Sequence, residues 1–249
     1  MKEEIIKTDG LTKIYGRHVA VDNLSFEVNE GEIFGFLGPN GSGKTTTILI
    51  LLGLTYPTKG DAIVCGFNPI REAVKIKRIV GYLPEHVGFY DDMTARENLK
   101  FTARLNRIPE EESDKKIEEL LEIVGLSEFS DKKVGTYSRG MRQRLGIAEV
   151  LIKDPKLVVL DEPTLGLDLE GSIQLIELIK NLSKEKGITV LFSSHHLNEV
   201  QRIADRIGIM IQGKMVAKGP IETLAKEKLG VDKGEYTLEE LYLKYFQEG

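Results

Sequence analysis

Cysteine is nearly missing from this chain: among 249 residues only Cys65 carries a thiol. No internal disulfide can form, and the reducing cytoplasm is the natural compartment. A basic surplus is missing as well. Lys and Arg number 34 against 39 Asp and Glu, a net charge of -5, which does not favour a general nucleic-acid binder. Long apolar runs are also lacking, since the longest uncharged one, Thr45 to Pro57, is too short to cross a bilayer. Met1-Lys2-Glu3-Glu4-Ile5-Ile6 puts acids where a signal peptide needs a basic region and then an apolar run. Nothing here is expected to span a membrane, so work at a membrane would need another chain to do the crossing. There is no internal repeat and no Pro/Gly/Ser-rich linker. The remainder is 41% hydrophobic and 29% charged, ordinary for a globular protein and long enough for a core domain with a subdomain.

Against that plain background stands Gly38-Pro39-Asn40-Gly41-Ser42-Gly43-Lys44-Thr45-Thr46, which fits the phosphate-loop pattern G-x-x-x-x-G-K-[ST] from Gly38 to Thr45. A buried strand is expected before it, over Glu32 to Leu37, and a core helix after it, over Thr46 to Leu54. That strand–loop–helix setting is what the motif requires. Glycines let successive N–H groups turn inward around an anion, and the new helix points its positive end at the same place. Lys44 would reach the β- and γ-phosphates, and the Thr45 hydroxyl would hold Mg²⁺.

The rest of the pattern is α/β. Early strands are expected over Ile5 to Lys7 and Val19 to Val28, where Val19, Val21, Leu24, Phe26 and Val28 alternate on either side of a turn. Short strands follow over Asp61 to Cys65 and Ile79 to Leu83. From about Thr94 to Lys133 the pattern turns helical. Thr94-x-x-Glu97 is a capping box before Leu99, Phe101 and Leu105, and Ile117, Leu120, Leu121 and Val124 fall at helical spacing. Glu110 to Glu119 reads as a solvated helix face. Leu157 to Leu160 is uninterrupted apolar, as in a strand buried on both faces. A helix over Leu169 to Glu185, a strand over Ile188 to Phe192 and a helix from about His196 come next. Then come a hairpin about Gln212-Gly213 and two short helices, Ile221 to Leu229 and Leu238 to Phe246.

Asp161 and Glu162 end the apolar strand, at the edge where open α/β sheets bind ligands. Asp161 would hold Mg²⁺ through water beside Thr45. Glu162 would orient the water that attacks the γ-phosphate, an effect of about 10²–10⁴ in rate. Without the phosphate loop upstream, such an acid pair is more simply a helix cap.

At this point the chain, from Leu11 to about Leu229, resembles the nucleotide-binding subunits of ATP-binding cassette (ABC) transporters. The most specific element is Tyr137-Ser138-Arg139-Gly140-Met141-Arg142-Gln143-Arg144-Leu145, which looks like that family's signature motif at the start of a helix. The resemblance implies an α/β phosphate-loop ATPase core: a mixed sheet with flanking helices, an N-terminal antiparallel β part and an inserted helical subdomain. Residues 1–230 would form the ATP-binding domain, with the insertion at about 86–150, and residues 231–249 a short helical tail. It further implies ATP and Mg²⁺ as ligands, with Tyr15 stacking on adenine. Ser138 and Gly140 would serve a partner subunit's ATP, and His195 would contact the γ-phosphate. Asp168 matches the loop that crosses the dimer interface; capping the helix that begins there is equally open to it.

Two departures stand out. Glu85 takes a place where the family usually has Gln, so an acceptor-only carboxylate would face the metal and phosphates. Arg139 and Met141 replace the usual Gly and Gln, and Arg139 could meet an anion or point to solvent. These variants resemble the exporter branch that pairs with separate membrane subunits. The implied protein is an ATP-hydrolysing subunit that dimerises with itself or a relative and sits on the inner face of the cell membrane. It would couple to an integral membrane permease, and no nucleic-acid partner is expected. Val87, Phe89, Tyr90 and Met93 either receive that permease or pack inside the helical part. The competing class is a soluble ABC-type ATPase, as in iron–sulfur cluster assembly, and a third is an ATP-binding module without turnover.

Overall fold

The computed structural model describes residues 3–231 and 236–248. The chain opens with β1 (Glu4–Tyr15), β2 (His18–Leu24) and β3 (Glu27–Asn29). β1 is four times the length of the strand expected at Ile5 to Lys7. It continues through Leu11 to Tyr15 because Gly10, at φ +58°, and register shifts let one strand bend while pairing β3, β5 and β2 in turn. Those irregularities break the alternation that a sequence reader follows. The stretch Val19 to Val28 is likewise two strands, separated at Ser25-Phe26, with Asn23 near the end of the first at φ +50°. Val21, Leu24, Phe26 and Val28 are buried, but Val19 is exposed.

β4 (Ile33–Leu37) and α1 (Lys44–Leu51) flank the phosphate loop, the helix starting two residues earlier and ending three earlier than expected. β5 (Lys59–Val64), α2 (Ala73–Ile79) and β6 (Val80–Leu83) follow. The unexpected element is α2: Ile76 is its fully buried residue while Val74 is exposed, so it carries no amphipathic stripe to read. It also takes Ile79, expected as strand.

Next come α3 (Ala95–Leu105), α4 (Glu110–Ile123) and α5 (Arg139–Leu151). The Thr94 capping box forms in both directions, with Glu97 N–H donating to Thr94 Oγ1 (3.1 Å) and Thr94 N–H to Glu97 Oε2 (2.8 Å). Ile117, Leu120, Leu121 and Val124 are buried. Of the apolar residues after the capping box, Leu99 is buried while Phe101 and Leu105 are exposed. The acidic face of α4 is solvated and reaches Lys100 through Glu110 and Asp114 at 2.6 and 3.1 Å.

β7 (Leu157–Asp161), α6 (Leu169–Lys186), β8 (Thr189–Ser194), α7 (Leu197–Ile203), β9 (Arg206–Ile211), β10 (Lys214–Gly219), α8 (Ile221–Leu229) and α9 (Leu238–Glu248) complete the order. Gln212 and Gly213, at φ +49° and +83°, make the tight β9–β10 hairpin. Of the expected tail, 232–235 and 249 lie outside the described residues, as do 1–2 of the N-terminus. No helix among the described residues is long and apolar enough to cross a membrane.

Six strands form the central sheet in the order β10-β9-β4-β8-β7-β6, parallel except for β10. Period two sorts their side chains into two cores. Phe34, Phe36, Val159, Leu191 and Met210 join α1 and the N-terminal sheet on one face. Ile33, Leu37, Val158, Leu160, Val190 and Phe192 join the helices on the other. The order β4-β8-β7 sets three carboxyl ends side by side. They carry the phosphate loop, Ser193-Ser194-His195 and Asp161-Glu162.

Candidate active site

The loop after β4 can close so tightly only with glycine at two places. A Cβ on Gly38 (φ +158°) would lie 2.4 Å from the Met210 carbonyl, and one on Gly43 (φ +102°) 2.3 Å from that of Ala20. The β9–β10 hairpin braces it: Gly213 N–H donates to the Ser42 carbonyl at 3.0 Å and Asp22 N–H to the Gly213 carbonyl at 2.8 Å. The helix behind it has no side-chain cap and no acid in its first turn. The N–H groups of Lys44, Thr45 and Thr46 therefore face outward as donors for an anion.

Lys44 is buried, its ammonium donating to the carbonyls of Gly38 (2.7 Å) and Pro39 (3.3 Å). It also stands 3.2 Å from Glu162 Oε1. That oxygen is buried and accepts no hydrogen bond, so the ammonium offsets its charge without satisfying its lone pairs. Glu162 has left-handed backbone, φ +49°. Ser193 holds it there, accepting from Glu162 N–H at Oγ (2.9 Å) while the same hydroxyl donates to Asp161 Oδ1 (2.6 Å). Glu162 Oε2 meets His195 Nδ1 at 2.8 Å and accepts from the His195 N–H at 3.3 Å. The pairing of His195 with Glu162 was not foreseen, nor was the part of Ser193; a serine ending a buried strand before Ser194-His195 was the available signal.

Burial, and then the charges of Asp161 and Glu85, push the Tyr82 phenol up to about 12. Asp161 is buried and its carboxylate takes one protein hydrogen bond, from Ser193. With the exposed Thr45, that hydroxyl-and-carboxylate set suits Mg²⁺, which takes few protein ligands and completes its shell with phosphates and water.

Most of the expected residues fall into two clefts, while Gly38, Pro39 and His195 line a third and Asp161 lines none of the three. A cleft of about 330 Å³ is lined by Tyr15, His18, Ala20, Asn40 to Thr46, Glu85 and Glu162. His18 was missed; it turns toward the cleft because it pairs with Tyr15 across the β1–β2 turn. Lys13 Nζ lies over the half-exposed Tyr15 ring, 4.7 Å from its centroid. A separate cleft of about 400 Å³ holds Ser138, Gly140 and Asp168, and its lining includes none of the residues of the first. Ser138 caps α5, accepting from Met141 N–H at 3.2 Å, and Asp168 caps α6, accepting from Gly171 N–H at 2.8 Å. Arg139 lies across Gly166, where a Cβ would come within 2.5 Å of its guanidinium carbon.

The ABC transporter family model matches residues 21–165. The bacitracin transport ATP-binding protein BcrA of Bacillus licheniformis is 46% identical over 222 residues, 89% of this chain and 72% of that protein. The linearmycin resistance ATP-binding protein LnrL of Bacillus subtilis (strain 168) is 38% identical over 228 residues, 92% of this chain and 73% of that one. A solved ATP-binding subunit of an ABC transporter superposes with a TM-score of 0.86 at 28% identity, covering 97% of this chain and 99% of that chain. The dimeric ATP-binding cassette MJ0796, in a post-hydrolysis state with ADP and Pi, gives 0.79 at 28% identity over 87% of this chain and 98% of its own. With its phosphate loop, its Asp161-Glu162 pair and these relatives, the chain belongs to the ABC transporter family, as an ATP-binding subunit that hydrolyses ATP.

Proposed function

We propose that two copies meet head to tail around two Mg·ATP molecules, each ATP held between one copy's phosphate loop and the other's Ser138-to-Gly140 segment. The observation that supports this is that Asn40 to Thr46 and Glu162 line one cleft of the chain while Ser138, Gly140 and Asp168 line another. Neither cleft has both sets, and a twofold pairing supplies each with the other. Donors from both sides neutralise the triphosphate, so ATP favours the closed pair and hydrolysis lets it part.

Within each site, Gly38 to Thr46 wrap the phosphates with backbone N–H groups and Tyr15 offers a ring face to adenine. Lys44 leaves the carbonyls of Gly38 and Pro39 for the β- and γ-phosphates. Thr45 and Asp161 would hold Mg²⁺, with Glu85 beside them; the ion, when bound, neutralises phosphate charge. Glu162 orients and polarises the attacking water, and its unsatisfied Oε1 is the acceptor for it. His195, held on Glu162 Oε2, fixes that carboxylate and faces the γ-phosphate side. Ser138, Gly140 and Asp168 act on the ATP of the other copy.

The working assembly includes an integral membrane permease, with this chain peripheral on its cytoplasmic side and export as the direction. Relatives named for bacitracin transport and linearmycin resistance support that reading. So does the exposed edge-to-face pair Tyr90 and Phe101 (5.1 Å) on the helical insertion, as a docking face. Val87 and Phe89 pack inward instead. Glu162→Gln should bind ATP, lose about 10²–10⁴ of its turnover and size as a dimer in ATP and Mg²⁺. Adding Ser138→Arg should return it to a monomer that still binds ATP. A dimer indifferent to Ser138→Arg, or normal turnover by Glu162→Gln, would defeat the scheme.

A further inference from the structure

Period two on β8 sends its two terminal serines to opposite sides. Ser193 faces Asp161 and Glu162, as described above. Ser194, fully buried, faces α7: its hydroxyl accepts from His196 N–H at 2.9 Å and donates to Glu199 Oε2 at 3.3 Å. The same Glu199 oxygen accepts a second, shorter hydrogen bond, from Thr164 Oγ1 at 2.6 Å. Thr164 is buried too and lies two residues after Glu162, within a pair of tight turns. There Leu165 N–H donates to the Glu162 carbonyl at 3.1 Å and Leu167 N–H to the Thr164 carbonyl at 3.0 Å.

Glu199 therefore joins two segments, one bearing Glu162 and the other His195, whose direct contact is the 2.8 Å pairing of His195 Nδ1 with Glu162 Oε2. At 7 residues α7 depends on its surroundings for its placement, and His196 at its N-cap makes no side-chain capping bond. Glu199, in the first turn, supplies the tie that the cap does not. A carboxylate acceptor makes the stronger kind of hydrogen bond. Both donors are buried hydroxyls, costly to leave unpaired, and among the described residues neither has another acceptor. Glu199 is absent from the lining of the phosphate cleft, so whatever it does there passes through these neighbours.

We propose that Glu199 is a positioning residue for ATP hydrolysis. By accepting from Thr164 and Ser194 at one oxygen, it locks the His195 segment to the turn after Glu162 and so sets the contact between His195 and Glu162. This rests on the roles given above to those two residues.

The test uses the full chain. Glu199→Ala should lower kcat about tenfold and leave KM for ATP unchanged. Glu199→Gln, which keeps an acceptor for Thr164, should recover most of that loss. Thr164→Val should match Glu199→Ala, and the double variant should be little worse than either. A second readout needs no turnover. The chain has 4 histidines, so the ring nitrogens of His195 can be assigned by NMR with His195→Gln. Their signal should move in Glu199→Ala and Thr164→Val and return toward its native position in Glu199→Gln. An unmoved His195 signal overturns the proposal whether or not kcat falls, as does an unchanged kcat per folded molecule or additivity of the two substitutions. Failure of the underlying reading looks different: Glu162→Gln would turn over normally while the His195 signal still moved in Glu199→Ala, which removes the catalytic scheme and keeps the contact that Glu199 sets.

Discussion

Glu162 holds a backbone conformation, φ +49°, that costs a non-glycine residue about 1–3 kcal/mol. The surroundings impose it through the Ser193 bonds to Glu162 N–H and the His195 contact on its carboxylate. A second carboxylate shows the opposite economy. Glu149 sits on α5 under α3, and burial, outweighing the Thr102 hydrogen bond (2.7 Å) and the nearby Lys153 charge, holds its carboxyl above the usual carboxylate range. The native state therefore keeps a proton that the unfolded chain has released, so this group's contribution to stability falls as pH rises from the unfolded to the folded pKa. Glu149→Gln, which keeps an acceptor for Thr102, should raise the urea midpoint at neutral pH and flatten its dependence on pH through the weakly acidic range. Denaturation series at several pH values would show it.

Among the elements, β4 and α7 bear most directly on the site, one leading into the phosphate loop and the other leaving from His195. Their contact depends on a missing side chain: a Cβ on Gly35 would come within 2.6 Å of Val200 Cγ1 and 3.3 Å of Ala204 Cβ. Gly35→Ala should cost about 1–3 kcal/mol through overpacking and displace α7. Turnover should fall with stability, read from denaturant melts and phosphate release. The helices α3 and α4 were legible because the capping box and the apolar stripe are local. The outward turn of Phe101 and Leu105 was not, because that face is set by what α4 and α5 leave uncovered.

For the whole molecule, the question is how the N-terminal sheet is tied to the central one. Arg206 on β9 donates to Glu27 on β3 at 2.6 Å and to Glu32 at 3.1 Å, and Lys218 on β10 reaches Glu27 at 2.9 Å. Burial works against the Glu27 carboxylate, but the hydrogen bonds from Lys218 and Arg206 outweigh it and hold its pKa below the usual range. Its share of stability is present above the unfolded pKa and is lost as pH falls through the folded one. Arg206→Ala should cost about 1.5–3 kcal/mol, since Glu32 is buried and loses a charged partner, and should blunt the acid limb of the stability profile. Thermal melts of both proteins across pH would check it.

By itself the sequence determined the phosphate loop, the strand that ends in Asp161 and Glu162, the capping box and the hairpin, because each depends on neighbours a few residues away. Side-chain period and glycine stereochemistry act at that range. Tertiary structure decided that Lys44, Ser193 and His195 converge on Glu162, that Ser138 and Asp168 share a cleft without the phosphate loop, and that Tyr242 shares the third cleft with His195. Those groupings gather residues as far apart in the chain as Gly38 and Tyr242, which line one cleft, and the order of strands in a sheet, which no local pattern encodes, is what brings them together.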